Sequence, residues 1–433
     1  MIFGQNLFYH FIESPSELSP APSAPTVDGV EQEEQYKKLI HSKFVVTSLE
    51  GHSDVVWSVA AENHLVLSAS RDTTVKVWDA IKGEEVCNLR GHTNSVSGVV
   101  FPSQEASAAL AVRLDCPSSQ RLAISGALDC SLIVWSIPNG HLLKSVYTYN
   151  GITAVAIVEK ELLVVTGTDG GKVELWDVVI GEAKHSVHGH EENVTCIATS
   201  DSNQVFTTSV DGVVKVWTIR LRRFQLLYAL EEESSRGLAR PLHHSLKTVV
   251  SHSDKIYLGN DGVNIKILDW KNGRMERLRN CIHQRGSTDA LCVTGDLLLA
   301  SSYNLDMDTS SVNFFYLPNG DYLTSVSCDK ASRILSLATT VSEDGDLRFV
   351  TGGSRLLVWD FLPHKARKKR KSPTAEIIRS NYFEALSEEA EASQTEKEDT
   401  ESELTDDSLE EENQCEMSLQ SRKNWLSSWC SLF

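Results

Sequence analysis

An all-β repeat architecture is the fold class this sequence predicts, on three observations. The chain resembles itself at a spacing of roughly 40 residues, the length at which a repeated unit is one supersecondary block rather than a domain. Within each unit, short runs rich in Val, Ile, Leu, Thr and Ser are closed by polar turns carrying Gly, Asp or Asn, the pattern of short β-strands. No stretch approaches the roughly 18 apolar residues that a membrane-spanning helix needs. The 433 residues therefore read as one large repeat body with tails.

The units can be followed in order. The first runs from Gly51-His52 through Leu65-Val66-Leu67-Ser68-Ala69-Ser70-Arg71-Asp72 to Val75-Lys76-Val77-Trp78-Asp79. Gly91-His92 leads to Ile124-Ser125-Gly126, Asp129 and Val134-Trp135, and Gly189-His190 leads to Thr207, Asp211 and Val216-Trp217. Two further units end at Trp176-Asp177 and Trp359-Asp360. These residues resemble the WD-repeat family, whose units open near a Gly-His and close near a Trp-Asp, and the resemblance covers roughly residues 44 to 363. Two weaker units carry Leu268 and Tyr316 where the tryptophan is expected, which brings the count to seven.

The fold that this resemblance implies is a seven-bladed β-propeller built from WD repeats, each unit one four-stranded blade, with disordered N- and C-terminal tails. The anchors at 78, 135, 176, 217, 268, 316 and 359 keep close to one spacing, and Ser103 to Gln120 is the clearest insertion. In the family the N-terminal segment commonly supplies the outer strand of the last blade, removing exposed sheet edges. Phe44 to Leu49 is placed to complete the blade of Trp359 in this way. The expected organisation is a flexible tail over 1–43, the propeller over 44–363, a basic cluster over 364–372 and an acidic tail with an apolar end over 373–433.

The resemblance also implies a role for the recurring polar residues. His52, Ser68 or Ser70, Asp72 and Trp78 are expected to be linked by hydrogen bonds, as are His92, Ser125, Asp129 and Trp135, and His190, Thr207 or Ser209, Asp211 and Trp217. These sets are structural, because a buried imidazole and indole each need a partner. Trp176 belongs to a unit with Tyr149-Asn150-Gly151 in place of Gly-His, and with Asp169 one position early, so that blade is expected to close differently. The Leu268 and Tyr316 blades are expected to be looser.

Chemistry-bearing motifs are missing. No phosphate-cradling GxxxxGK[ST], zinc-protease HExxH or hydrolase GxSxG occurs, so no enzyme activity, small-molecule substrate or cofactor is expected. Asp306 and Asp308 with Asp321 lack the spacing of a calcium loop, and His185, His188 and His190, like His243-His244, lack further ligands for a metal. Leu221-Arg222-Arg223-Phe224 departs in order, and by the absence of glycine, from the Phe-Arg-Arg-Gly signature of phosphoinositide-binding propellers; its arginines read as keeping an exposed strand soluble.

Charge and cysteine usage place the chain. Nine cysteines without a CxxC pair fit a reduced, intracellular protein, and Met1 to Phe11 has no basic leader. Most of the net charge of -18 lies between Glu384 and Glu416. Lys365, Arg367, Lys368, Lys369, Arg370 and Lys371 form a nuclear-localisation cluster, so residence in the nucleus is favoured over the cytoplasm; so short a run offers nucleic acid only nonspecific phosphate contacts. A short amphipathic helix is expected over Ile377 to Ala392, then an acidic disordered run in which Ser402, Thr405 and Ser408 suit acid-directed kinases. Trp425 and Trp429 to Phe433 form an apolar docking hook.

Function is therefore expected at a surface, as a non-enzymatic scaffold or adaptor for other proteins or peptides. Trp57 and Arg71 fall at positions that face the binding rim in similar proteins, and both residue types are enriched at interface hot spots. The loop from Glu231 to Pro241, longer than a tight turn requires, is expected between two blades as a part of a binding rim. Two other readings are a chromatin or ribosome-assembly factor whose acidic tail binds basic partners, and a substrate receptor of a cullin-type ubiquitin ligase.

Overall fold

The computed structural model of the protein describes residues 39, 42–137, 139–230, 245–327, 333–341, 347–362, 375–383 and 386. The chain divides into a unit ending at Ala390 and a second from Glu391 to Phe433. All residues of the second lie outside those described, as do the basic cluster, the loop from Glu231 to Pro241 and His243-His244.

The described residues of the first unit form seven separate antiparallel sheets. Blade 1 is typical: Val56–Glu62, Leu65–Ser70, Thr74–Asp79 and Glu84–Arg90 run outward in chain order. Thr, Val and Trp at alternate positions suit a pleated surface packed on both sides, and two- to four-residue turns join the strands. The first strands of successive blades lie against one another, and blade 7's Ile334–Val341 returns to contact Val56–Glu62, so the sheets close into a ring. The structure is the expected seven-bladed β-propeller.

Core packing explains why the repeat matters more than any single blade. Leu67, Val75 and Val77 of blade 1 are fully buried together with Val96, Ala123 and Trp135 of blade 2. Val66 and Trp78, from the opposite face of blade 1, pack instead with Val350 and Val358 of blade 7. Each sheet thus has two apolar faces, and neither is covered until both neighbours are present.

Closure follows the expected route and then goes further. Lys43–Leu49 pairs antiparallel with Leu356–Leu362, with Val46 opposite Trp359. A fifth strand, Ala375–Arg379, pairs with the free edge of Lys43–Leu49, from Lys43 opposite Arg379 to Thr47 opposite Ala375. Residues 375–379 are therefore strand, where a helix beginning at Ile377 was expected. The edge of Lys43–Leu49 offers backbone partners that an isolated segment lacks, and adjacent Ile377 and Ile378 are β-branched. Asn381 then exchanges backbone hydrogen bonds with Ser325 of blade 6 (2.8 and 2.7 Å), and Leu386 is buried in a cluster with Phe315 and Tyr322.

The insertion from Ser103 to Gln120 contains α1, Gln104–Arg113, capped by the Ser103 side chain, which accepts from the Ala106 N–H. It joins the first two strands of blade 2, and its Leu110 is fully buried.

Candidate protein-docking rim

The recurring polar sets are where they were expected. In blade 1, the Trp78 indole donates to Ser68 Oγ (2.8 Å), Ser68 Oγ meets His52 Nε2 (2.7 Å), and His52 Nδ1 meets Asp72 Oδ2 (2.7 Å). An indole can only donate, so the single Ser68 proton goes to His52 Nε2, and the ring's own proton lies on Nδ1 toward Asp72. Burial pushes the His52 ring below its ordinary value, outweighing the hydrogen bond to Asp72 that would raise it. Burial alone would raise Asp72, but hydrogen bonds from Thr74 and His52 hold it below the usual carboxylate range.

Blade 2 repeats the chain through Trp135, Ser125, His92 and Asp129 at 2.8, 2.7 and 3.1 Å. Blade 4 repeats the first two links, Trp217 to Thr207 and Thr207 to His190 at 3.0 and 2.8 Å, but His190 Nδ1 stands 3.5 Å from Asp211 Oδ2 without a hydrogen bond. Ser68 and Thr207, rather than Ser70 and Ser209, are thus the central hydroxyls. All three hydroxyl residues are fully buried, so none can meet a substrate although the triplet is drawn from the residue types of a hydrolase triad.

The remaining blades solve the same problem with other residues. Trp176 donates to Thr166 and Trp359 to Thr351, both at 3.1 Å, with no histidine in either set. In blade 6, buried Asn313 donates to the backbone and side-chain oxygens of Asn280 (2.7 and 2.9 Å), and Asn280 donates to Thr288 Oγ1 (2.7 Å) and to the Ser301 carbonyl (2.8 Å). The expectation of a looser blade there is corrected: an asparagine ladder replaces the missing set.

One end of the ring carries a second repeated feature. At the start of six first strands the register slips by one residue, leaving Trp57, Ser97, Thr153, Thr195, Lys247 and Leu335 as bulge residues. A bulge re-aims its side chain, here at the mouth of the central channel. Ser97 and Thr153 donate to the carbonyls of Ile152 and Val194 in the following blade (2.5 and 2.6 Å), and Thr195 pairs with Thr208 (3.0 Å). Blades 2 and 3 thus use this position to bind the next blade, whereas the Thr195 bond lies within blade 4.

Blades 5, 6, 7 and 1 differ. Lys247 donates to Asp289 of blade 6 (2.6 Å), and Arg333, which leads into blade 7, grips the same carboxylate through Nε and Nη2 (2.9 and 3.1 Å). Burial alone would raise Asp289, but the Lys247 and Arg333 charges outweigh it and hold the carboxyl at about 2. The Arg333 guanidinium also lies over the Tyr303 ring, 4.9 Å from its centre. Next around the mouth come half-buried Leu335 and Trp57. Arg71 stands beside Trp57's strand, its backbone N–H donating to the Val55 carbonyl (2.9 Å) and its Nε 3.5 Å from Asp54 Oδ2.

Trp57 begins the first strand of blade 1 and Arg71 follows its second strand, so the backbones of the two stand at the same end of that blade; Lys247, Asp289 and Arg333 were missed. A signal for Lys247 existed: Trp57, Ser97 and Thr195 each lie five positions after a repeat histidine, and Lys247 occupies that register in a unit without the histidine. Among the described residues no three His, Cys, Asp or Glu side chains converge on a metal position. Asp308 instead accepts from Tyr303 Oη (2.8 Å), and Asp321 pairs with Asn319.

The family model for the WD domain, G-beta repeat matches residues 43–79 and 181–218. Among curated relatives, the chain is 26% identical over 164 residues to Autophagy-related protein 16 of Arabidopsis thaliana, covering 38% of this chain and 30% of that protein. It is 30% identical over 185 residues to Nuclear distribution protein PAC1 of Yarrowia lipolytica, covering 41% and 42%. It is 28% identical over 200 residues to Pre-mRNA-processing factor 19 homolog 2 of Arabidopsis thaliana, covering 44% and 35%. In each case the chain spans less than half of the relative's length. Among the described residues no helix is long and apolar enough to cross a membrane. With two stretches matched by the model for the WD domain, G-beta repeat, and seven closed blades, the chain is a β-propeller that resembles WD-repeat proteins.

Proposed function

We propose that this protein is a non-catalytic scaffold that docks a partner protein or peptide on the rim running from blade 5 through blades 6 and 7 to blade 1. The observation that carries this reading is the unequal use of one repeated position. Where blades 2 and 3 place Ser97 and Thr153 in bonds to the next blade, and blade 4 places Thr195 in a bond within its own sheet, blades 7 and 1 place the large apolar side chains Leu335 and Trp57. Arg71 stands beside Trp57's strand with a guanidinium group that recognises carboxylates or main-chain carbonyls, while Arg333 is held by Asp289. A partly exposed tryptophan with an arginine on the neighbouring turn has the composition of an interface hot spot. The basic cluster from Lys365 to Lys371 would direct such a scaffold to the nucleus, and the relatives whose names speak of nuclear distribution and pre-mRNA processing are compatible with that setting.

Partner capture from cells tests the rim. The baits are the full chain, its Trp57→Ala/Arg71→Glu double variant, and a chain ending at Ala390, which keeps the strand Ala375–Arg379 and Leu386. Loss of a discrete partner set with the double variant alone, at unchanged melting temperature, is the expected result. Loss only with the shortened chain, together with collapse of binding in modest salt, would transfer the function to the acidic run between Glu384 and Glu416.

A further inference from the structure

Strands alternate in direction, so the turns joining first to second and third to outer strands gather at the face opposite the rim. Three apolar side chains on that face are conspicuously exposed: Val112 of α1 at 58%, Ile180 in the last turn of blade 3 at 53%, and Leu221 in that of blade 4 at 95%. All three belong to segments tied to one carboxylate. Asp177, completely buried, accepts from Arg113 Nη2 (2.9 and 2.8 Å), from the backbone N–H groups of Val179 and Ile180 (3.2 and 3.4 Å) and from Arg222 Nη1 (3.5 Å). The equivalent Asp79 of blade 1 takes only its own turn, through Ile81, Lys82 and the Lys82 side chain. Asp177 therefore fixes α1, the blade 3 turn and the blade 4 tip relative to one another.

The blade 4 tip is itself unusual. Arg220 pairs with Arg223, so Leu221 and Arg222 form a two-residue turn, and both adopt left-handed backbone (φ 51° and 58°). Such turns favour Asn-Gly, since a branched side chain is strained at positive φ. Here a leucine is held in that strained position and projected almost wholly into solvent between arginines.

We infer that Val112, Ile180 and Leu221 form a second interaction surface, on the face opposite the rim, that docks a partner protein segment in which acidic residues flank a small apolar pocket for Leu221. Charge complementarity selects the acidic flank: Arg113 and Arg222 are already engaged by Asp177, while Arg220 and Arg223 stand exposed on either side of Leu221. A lipid surface fits less well. The tip offers one fully projecting aliphatic residue and no exposed aromatic, and one of its three arginines is held down by Asp177, whereas interfacial anchors combine aromatic residues with several free cations.

The test uses the full chain and a displayed library of random peptides as probe, with anionic vesicles of phosphatidylcholine and phosphatidylserine as a second arm. Leu221→Asn removes the knob while placing at the turn a residue that tolerates left-handed backbone, so its melting temperature should match or exceed that of the parent. The parent should select acidic peptides with a central apolar residue, and Leu221→Asn and Arg220→Glu/Arg223→Glu should each weaken them by about tenfold or more. Failure to select such peptides, selected peptides that bind Leu221→Asn equally well, or Leu221-dependent sedimentation with vesicles would each overturn the inference. Because Trp57 and Arg71 remain intact in these variants, failure here leaves the rim reading to its own test.

Discussion

The shared hydroxyl of each Trp-Ser-His chain is the residue on which the polar groups of a blade depend. Ser68 both receives the Trp78 proton and supplies His52, so Ser68→Ala strands two buried groups at once, whereas a surface serine would strand none. The expected loss is about 3 kcal/mol by denaturant unfolding, against about 1 kcal/mol for Ser70→Ala, which loses bonds only at the Asp54 and Asp72 backbone. The choice between these serines was not legible in the sequence, because residues two apart on a strand share a face. The register decides it: Val66 lies opposite Trp78, which sets Ser68 beside the indole. The same set predicts an acid response. His52 titrates below its ordinary 6.5 in the folded state, so the unfolded chain takes up more protons below that value, and stability falls as pH drops from 6.5 through the folded value. His52→Gln should flatten this part of the pH dependence of unfolding.

Closure depends on two elements from opposite ends of the chain. Phe44 of the closing strand is completely buried, its ring 6.0 Å from that of Phe314 and 5.8 Å from that of Phe349. Phe44→Ala should cost about 4 kcal/mol, measured by chemical unfolding. The strand Ala375–Arg379 covers the other edge of the closing strand, and Leu386 fills a gap at blade 6. A chain ending at Pro363 loses both and should be less stable by at least about 3 kcal/mol, while one ending at Ala390 should melt with the full chain. The closing strand could be read because its apolar pattern stood just ahead of the first repeat. The fifth strand could not: Ile377, Ile378, Phe383 and Leu386 are compatible with a helical face, and nothing local announces that an open sheet edge awaits them.

Across the whole ring the blades divide by how they are joined. Blades 1 and 2 carry the full histidine set, blade 4 bonds its tryptophan, threonine and histidine but not its aspartate to that histidine, blades 3 and 7 keep only the tryptophan and threonine, and blade 6 relies on Asn280 and Asn313. The seven-fold architecture was legible because every unit repeats its apolar strands, whereas the joints of blades 5 to 7 were not, because Lys247, Asp289 and Arg333 each look like ordinary charges until the ring brings them together. Their carboxylate is the point of greatest leverage. Asp289 is buried and compensates two cations from flanking blades, so Asp289→Ala leaves Lys247 and Arg333 facing one another without a counter-charge. That should destabilise the protein by about 3 kcal/mol, the cost of breaking a buried pair from one side. Adding Lys247→Met should restore part of the loss, because one of the two uncompensated charges is then gone and Arg333 can turn toward solvent. A double-mutant cycle on unfolding free energies reads this coupling directly, and strict additivity would show that Asp289 does not join the two blades. As the folded carboxyl titrates at about 2 against an ordinary 3.8, its stabilisation is present above the ordinary value and disappears as pH falls toward 2. The acid transition of the Asp289→Ala protein should accordingly be shallower than that of the parent over that interval.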